Sequence, residues 1–197
     1  MIEREPMSNE MNIRRVALLG NHLPRQCGIA TFTTDLSDAI ASVGPDLDCF
    51  VLAMNDGRHQ HAYPGRVRFE LTDSDAGAYT RAADFLNVNA VDVISVQHEY
   101  GIFGGKAGSH LLPLLRELRM PIVTTLHTIL AAPNLHQRRV MDEITTLSDR
   151  LVVMTAGGAV ATPMVFEFFN WLNRVFGYRP RIESSFRSDR EILRGRN

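Results

Sequence analysis

Three short runs of apolar, largely β-branched residues each break off at a cluster of glycine and histidine. Positions 15–20 (RVALLG) lead into NHLPRQCGIATF, positions 92–97 (DVISVQ) into HEYGIFGG, and positions 121–126 (PIVTTL) into His127-Thr128. Continuously apolar runs of this length read as strands buried on both faces of a parallel sheet covered by helices. In such a sheet the loops leaving the carboxyl ends of the strands open onto one edge, and ligands bind there. The three clusters are therefore expected to be neighbours in space.

Between these runs the period lengthens to that of a helix. Tyr79, Ala82, Ala83 and Leu86 recur at i, i+3, i+4 and i+7, which predicts a helix over 73–87. A helix is expected over 31–43, capped by Thr31 or Thr33, with Asp35 in its first turn and Gly44-Pro45 as its stop. Further helices are expected over 108–118 and over 133–147, the latter with Pro133 in its first turn. Strands over 48–54, 67–71 and 151–154 complete the series. The order βαββαβαβαβ predicts an α/β fold, a Rossmann-like doubly wound parallel sheet built from right-handed crossovers.

The pattern also divides the chain. Residues 1–13 are polar and are expected to form a disordered leader, followed by a single domain over 14–155. After Thr155 the rhythm stops, and this stretch holds half the phenylalanines and the only tryptophan. Positions 163–176 have the pattern of an amphipathic helix, whereas 179–197 are rich in arginine and low in apolar residues. Residues 156–197 are expected to be an atypical, irregular tail.

Composition narrows the function classes. A chain of 197 residues, 45% apolar, is long enough for one sizeable core. A formal net charge of −1 provides no bulk field that would recruit nucleic acid or an anionic membrane. Two cysteines, Cys27 and Cys49, make neither a disulfide framework nor a CxxC pair, which points to a reducing, cytoplasmic setting. No run approaches the ~18 apolar residues of a membrane-crossing helix, and the start lacks a signal-like apolar core.

The strand-end clusters carry the candidate chemistry. Gly28 opens a helix, and a helix start presents free N–H groups and a positive dipole end suited to a phosphate or diphosphate. The plainer reading is a glycine that permits a tight turn. Neither GxGxxG nor GxxxxGK[ST] is present, so this is not a dinucleotide fingerprint or a P-loop. His98, Glu99 and Tyr100 precede Gly101, Gly104 and Gly105; a histidine and a carboxylate there can bond sugar hydroxyls or a nucleophile. The plainer reading is a backbone-bonded histidine and a helix-capping glutamate. His127 ends its strand in TTLHT, where histidine can donate or accept a hydrogen bond near neutral pH, although a lone histidine is more often structural. His59 and His61 form an HxH pair without acidic or cysteine partners, so a solvated loop is expected and no metal site. His22, His110 and His136 carry no spacing signal.

Taken together, PRQCGIATFTTDL (24–36), QHEYGIFGG (97–105), PIVTTLHT (121–128) and DRLVVMT (149–155) resemble the amino-terminal domain of family 4 glycosyltransferases of the GT-B fold. The resemblance implies the acceptor-binding half of a retaining, metal-independent enzyme. Such an enzyme moves a sugar from a nucleotide-sugar, its co-substrate, to a hydroxyl of an acceptor sugar or lipid, with no further cofactor. It implies that Gly28 lies against the donor diphosphate and that His127 is catalytic, contacting the transferred sugar. His98 and Glu99 match a motif lining the cleft and, with Tyr100, are expected to bind substrate. The family's second domain, with its E-x7-E donor-binding motif, is not expected after DRLVVMT. That departure suggests a truncated or frame-disrupted chain, weak or inactive alone, with a separate donor-domain chain as its partner. The alternative is a non-catalytic binding or interaction domain. A third reading, an unrelated Rossmann-type nucleotide-binding enzyme, is disfavoured by the missing glycine fingerprint.

Overall fold

The computed structural model describes residues 13–58 and 61–153. The expected leader (except Ile13) and the expected tail from position 156 lie outside the described residues. Six strands form one all-parallel sheet: β1 (Arg15–Gly20), β2 (Asp48–Asn55), β3 (Val67–Thr72), β4 (Val93–His98), β5 (Ile122–Leu126) and β6 (Arg150–Val153). Four helices connect them: α1 (Gly28–Ser42), α2 (Ala76–Val88), α3 (Leu111–Glu117) and α4 (Leu135–Leu147). The strand order is β3-β2-β1-β4-β5-β6, the doubly wound α/β arrangement that the alternation of runs predicts.

Side chains alternate between the two faces of each strand, so each face has its own core. On one face Val16, Leu18, Cys49, Val51, Val93 and Val123 pack with Leu36 and Ile40 of α1. On the other, Ala17, Leu19, Phe50, Leu52, Ile94, Val96 and Ile122 pack with Tyr79, Leu86, Leu114 and Ile144 of α2, α3 and α4. At the amino edge, carboxylates tie neighbouring strands together. Asp92 Oδ2 accepts from the backbone N–H of Arg14 and of Arg15 at 2.8 Å, and Asp149 Oδ2 accepts from that of Ile122 at 2.8 Å.

Several element ends differ from the sequence reading, each for a local reason. Helix α1 starts at Gly28, not near Thr31, because the Cys27 side chain is the N-cap and accepts from Ala30 N–H at 3.4 Å. The hydroxyls of Thr31 and Thr33 donate instead to the Cys27 and Ile29 carbonyls at 3.5 and 2.8 Å. Helix α2 starts at Ala76 behind an Asp75 cap rather than at position 73. Helix α3 starts at Leu111 rather than 108, because Gly108 has φ +82 and closes a separate 3₁₀ turn, Lys106–Gly108. In α4 a capping box between Asn134 and Gln137 sets the start, so Pro133 precedes the cap instead of sitting in the first turn. Strand β4 runs one residue further than expected: His98 still pairs with Leu126 and is strand, not loop.

The chain reverses its direction of travel across the sheet between β1 and β4, which is where doubly wound sheets open a crevice at the carboxyl edge. Tyr79 braces the loop beyond β4 from below. Its hydroxyl accepts from Gly104 N–H at 3.0 Å and donates to the Asp73 carbonyl at 3.3 Å.

Candidate functional site

The three strand-end clusters do meet. His127 N–H donates to the His98 carbonyl at 3.0 Å, joining the exits of β4 and β5. Phe32 of α1 sets its ring edge-on to His127, with centroids 5.0 Å apart at 83°, which brings the β1–α1 connection into the same place. The residues from the three clusters thus lie on one edge of the sheet.

Gln97 and His98 diverge because they are consecutive in a strand. Gln97 lies fully buried on the α1 face, and its amide N–H donates to Ser95 Oγ at 2.9 Å. Its Oε1 meets His127 Nε2 at 3.0 Å, so a proton on that nitrogen makes the bond. The His127 ring is half-buried. Burial pushes its pKa down from the usual value, and the Glu99 carboxylate opposes that shift.

His98 takes the opposite face. Its ring lies near-parallel to Phe103, with centroids 6.1 Å apart, and Tyr100 meets it edge-on at 5.1 Å. Burial lowers its pKa to about 4, so the ring is neutral at pH 7. Among the described residues neither ring nitrogen has a hydrogen-bond partner. Asn21 Oδ1 and His22 Nε2, just past the end of β1, are likewise buried without partners. His22 Nδ1 donates to the Leu23 carbonyl at 2.6 Å. Buried polar atoms are nearly always bonded, so these side chains flanking the switch point form the least satisfied part of the core. Sequence reasoning singled out His98 but passed over Asn21 and His22, although both directly follow a buried strand.

The remaining candidates divide. Glu99 is used within the protein: Oε1 accepts from Tyr100 N–H at 2.9 Å, and Oε2 accepts from the Thr128 hydroxyl. The carboxylate therefore clamps the loop after β4 to the loop after β5. Tyr100 is half-buried against His98. Gly28 is exposed, and a methyl group there would meet nothing within 4 Å. Neither packing nor a left-handed backbone demands glycine at 28, which leaves the helix start open to an approaching group. The glycines after His98 differ from it. A methyl at Gly104 would lie 1.7 Å from the Asp73 carbonyl oxygen, and Gly105 has φ +79, so both are explained by the fold. Gly101 stands in open space.

His59 lies outside the described residues, and the His61 ring lies 5.5 Å from that of Tyr63. Among the described residues no three His, Cys, Asp or Glu side chains are grouped so as to hold a metal ion, and no helix is long and apolar enough to cross a membrane. An open depression of about 460 Å³ lined by Asp46, Asp48, Arg66 and Arg68 lies at the amino edge of the sheet, away from these residues. Glu183 and Glu191 have the E-x7-E spacing that was not expected after position 155; both lie outside the described residues.

No protein-family model matches the chain. No curated protein matches it either. Among solved structures, a conserved protein from Enterococcus faecalis V583 is similar at 13% identity and a TM-score of 0.38, over 80% of this chain and 99% of that one. That likeness is too slight to carry an argument.

Proposed function

We propose that this domain is the acceptor-binding half of a glycosyltransferase of the GT-B type, moving a sugar from a nucleotide-sugar to an acceptor hydroxyl. The observation that carries the reading is the meeting of the β1, β4 and β5 exits at one sheet edge, with an open helix start at Gly28 and a fixed imidazole at His127.

The chemistry suits those groups. Transfer builds positive charge on the sugar and negative charge on the departing diphosphate. Free N–H groups at the start of α1 favour the diphosphate. His127 can hold the sugar through one hydrogen bond, and an ordered reactant removes part of the barrier in advance. His98, Asn21 and His22 belong to the acceptor side of this reading. A donor-binding domain supplies the grip on the nucleotide, so the chain alone turns over slowly.

The test combines the purified full chain with the donor-binding domain of a GT-B enzyme and follows nucleoside diphosphate release from a panel of nucleotide-sugars. Acceptor-dependent release that needs both proteins supports the reading. Release that His127→Ala leaves unchanged, or no release with any pair, rejects it. Turnover near ~1 s⁻¹ by the chain alone rejects the half-enzyme part, since that is already in the ordinary enzyme range.

A further inference from the structure

We infer that Gln97 is a positioning residue that holds His127 in one tautomer, with the proton on Nε2, so that Nδ1 meets its ligand only as an acceptor. The inference deepens the glycosyltransfer reading and rests on it for the identity of the ligand. Its chemical content is that the group facing His127 is a hydrogen-bond donor, such as a hydroxyl, and not a phosphate oxygen.

The geometry converges on Gln97 from below. Ser95 stands two residues earlier on the same face of β4, fully buried, and its Oγ accepts from the Gln97 amide at 2.9 Å. That bond turns Oε1 toward His127 Nε2, 3.0 Å away. With Oε1 toward the ring, a carbonyl oxygen only accepts, so the proton sits on Nε2; the reversed amide, with Ser95 Oγ donating to Oε1, would place it on Nδ1. Gly20 on β1 makes the room for this. A methyl group there would lie 2.9 Å from Gln97 Cβ and 3.2 Å from Thr33 Oγ1.

The ring itself is held from other directions as well. Its backbone N–H bonds the His98 carbonyl, and Phe32 lies edge-on to its face. Nδ1 has no protein partner among the described residues. The charged group that faces the ring is Glu99 on the β4 exit; His98 beside it is neutral, and Phe32, Gln97 and Thr128 carry no charge. A second-layer amide that sets the tautomer of a functional histidine is a recurrent device, because the bond at one ring nitrogen decides what the other can do.

The experiment is nitrogen-15 NMR of the histidine rings in the full-length chain between pH 5 and 8, with the exposed His136 as the internal comparison. No ligand is needed, so the outcome is independent of whether sugar transfer is ever observed. The expected result is a single Nε2–H tautomer for His127 in the parent. In Gln97→Glu the carboxylate keeps that tautomer and raises the His127 pKa by about one unit or more. In Gln97→Leu both tautomers become populated. A parent His127 that carries its proton on Nδ1, or that is mixed, overturns the inference without any variant. So does a Gln97→Glu protein whose far-ultraviolet spectrum is that of the parent and whose His127 pKa has not moved.

Discussion

Gly104 offers a sharp test of whether the glycines after His98 serve folding or ligand. A methyl group at this position would lie 1.7 Å from the Asp73 carbonyl oxygen, 2.6 Å from its carbon and 2.6 Å from His110 Nδ1. The obstacle is backbone, which has no alternative rotamer. Asp73 is itself fixed. Its N–H donates to the Asn55 carbonyl at 2.8 Å, and its carbonyl accepts from Tyr79 Oη at 3.3 Å and from His110 Nδ1 at 3.1 Å. Alanine at 104 must therefore push the loop away and break one or both of those last bonds. Each bond contributes roughly 0.5–1.5 kcal/mol, and overpacking a tight contact costs about 1–3 kcal/mol. Because a shift of the loop relieves the overpacking as it breaks the bonds, the two do not simply add, and a loss of ~2–4 kcal/mol is expected for Gly104→Ala. At ~2–4 °C per kcal/mol for a domain of this size, the melting temperature falls by roughly 4–16 °C. The control is Gly101→Ala, where a methyl meets nothing within 4 Å and the effect should stay within about 0.5 kcal/mol. The assay is urea unfolding followed by far-ultraviolet circular dichroism, with unchanged m-values as the check that only stability moved. A Gly104→Ala midpoint equal to the parent's, or a Gly101→Ala midpoint as low as that of Gly104→Ala, refutes the structural account.

The remaining predictions concern the site. His98 has its folded pKa lowered to about 4 by burial, against about 6.5 when unfolded, so unfolding takes up a proton in that window. Stability is therefore fully present above pH ~6.5 and is lost as pH falls toward ~4, by about 3 kcal/mol for this group. Urea midpoints measured across the window should decline, and His98→Leu, which removes two unpartnered nitrogens, should flatten the decline; an equal slope in both proteins would sink this assignment. Gly28→Val should leave the unliganded melting temperature nearly unchanged, because a Cβ at this exposed position meets nothing within 4 Å. In the combined assay it should abolish thermal protection by a nucleotide-sugar; undiminished protection would assign Gly28 to the turn alone. His127→Ala should lower kcat and kcat/KM together by roughly 10²-fold in that assay, as expected for one positioned polar group. A raised KM at parent kcat would make its contact a ground-state one.

The fold was legible because burial on both faces leaves a signal that needs no partner information. RVALLG, DVISVQ and PIVTTL are mainly apolar, since residues on each side pack against helices, and the alternation with helical stretches then fixes crossovers and order. Element ends were less legible because they depend on single bonds. The α1 start turns on a sulfur acceptor at Cys27, a weak cap that a search for hydroxyl and carboxylate caps passes over. The α3 start turns on left-handed backbone at Gly105 and Gly108, which composition cannot distinguish from a glycine that merely stands open at a helix start, such as Gly28.

The site was half legible for a related reason. Residue type and position after a strand picked out His98, Glu99 and His127, and the sheet brings them to one edge. What each does depends on the face its side chain takes, and adjacent residues take opposite faces. Gln97 reads as an ordinary strand residue, yet its face points it to Ser95 on one side and His127 on the other. Glu99 reads as a candidate binder, yet both its oxygens are occupied by Tyr100 and Thr128. His98 reads as a loop residue, yet one further backbone pairing with β5 carries it into the core. A single step in register thus separates a buried neutral imidazole from one that reaches the sheet edge. That is why the chemistry of this edge is decided by the parity of β4 and not by its composition.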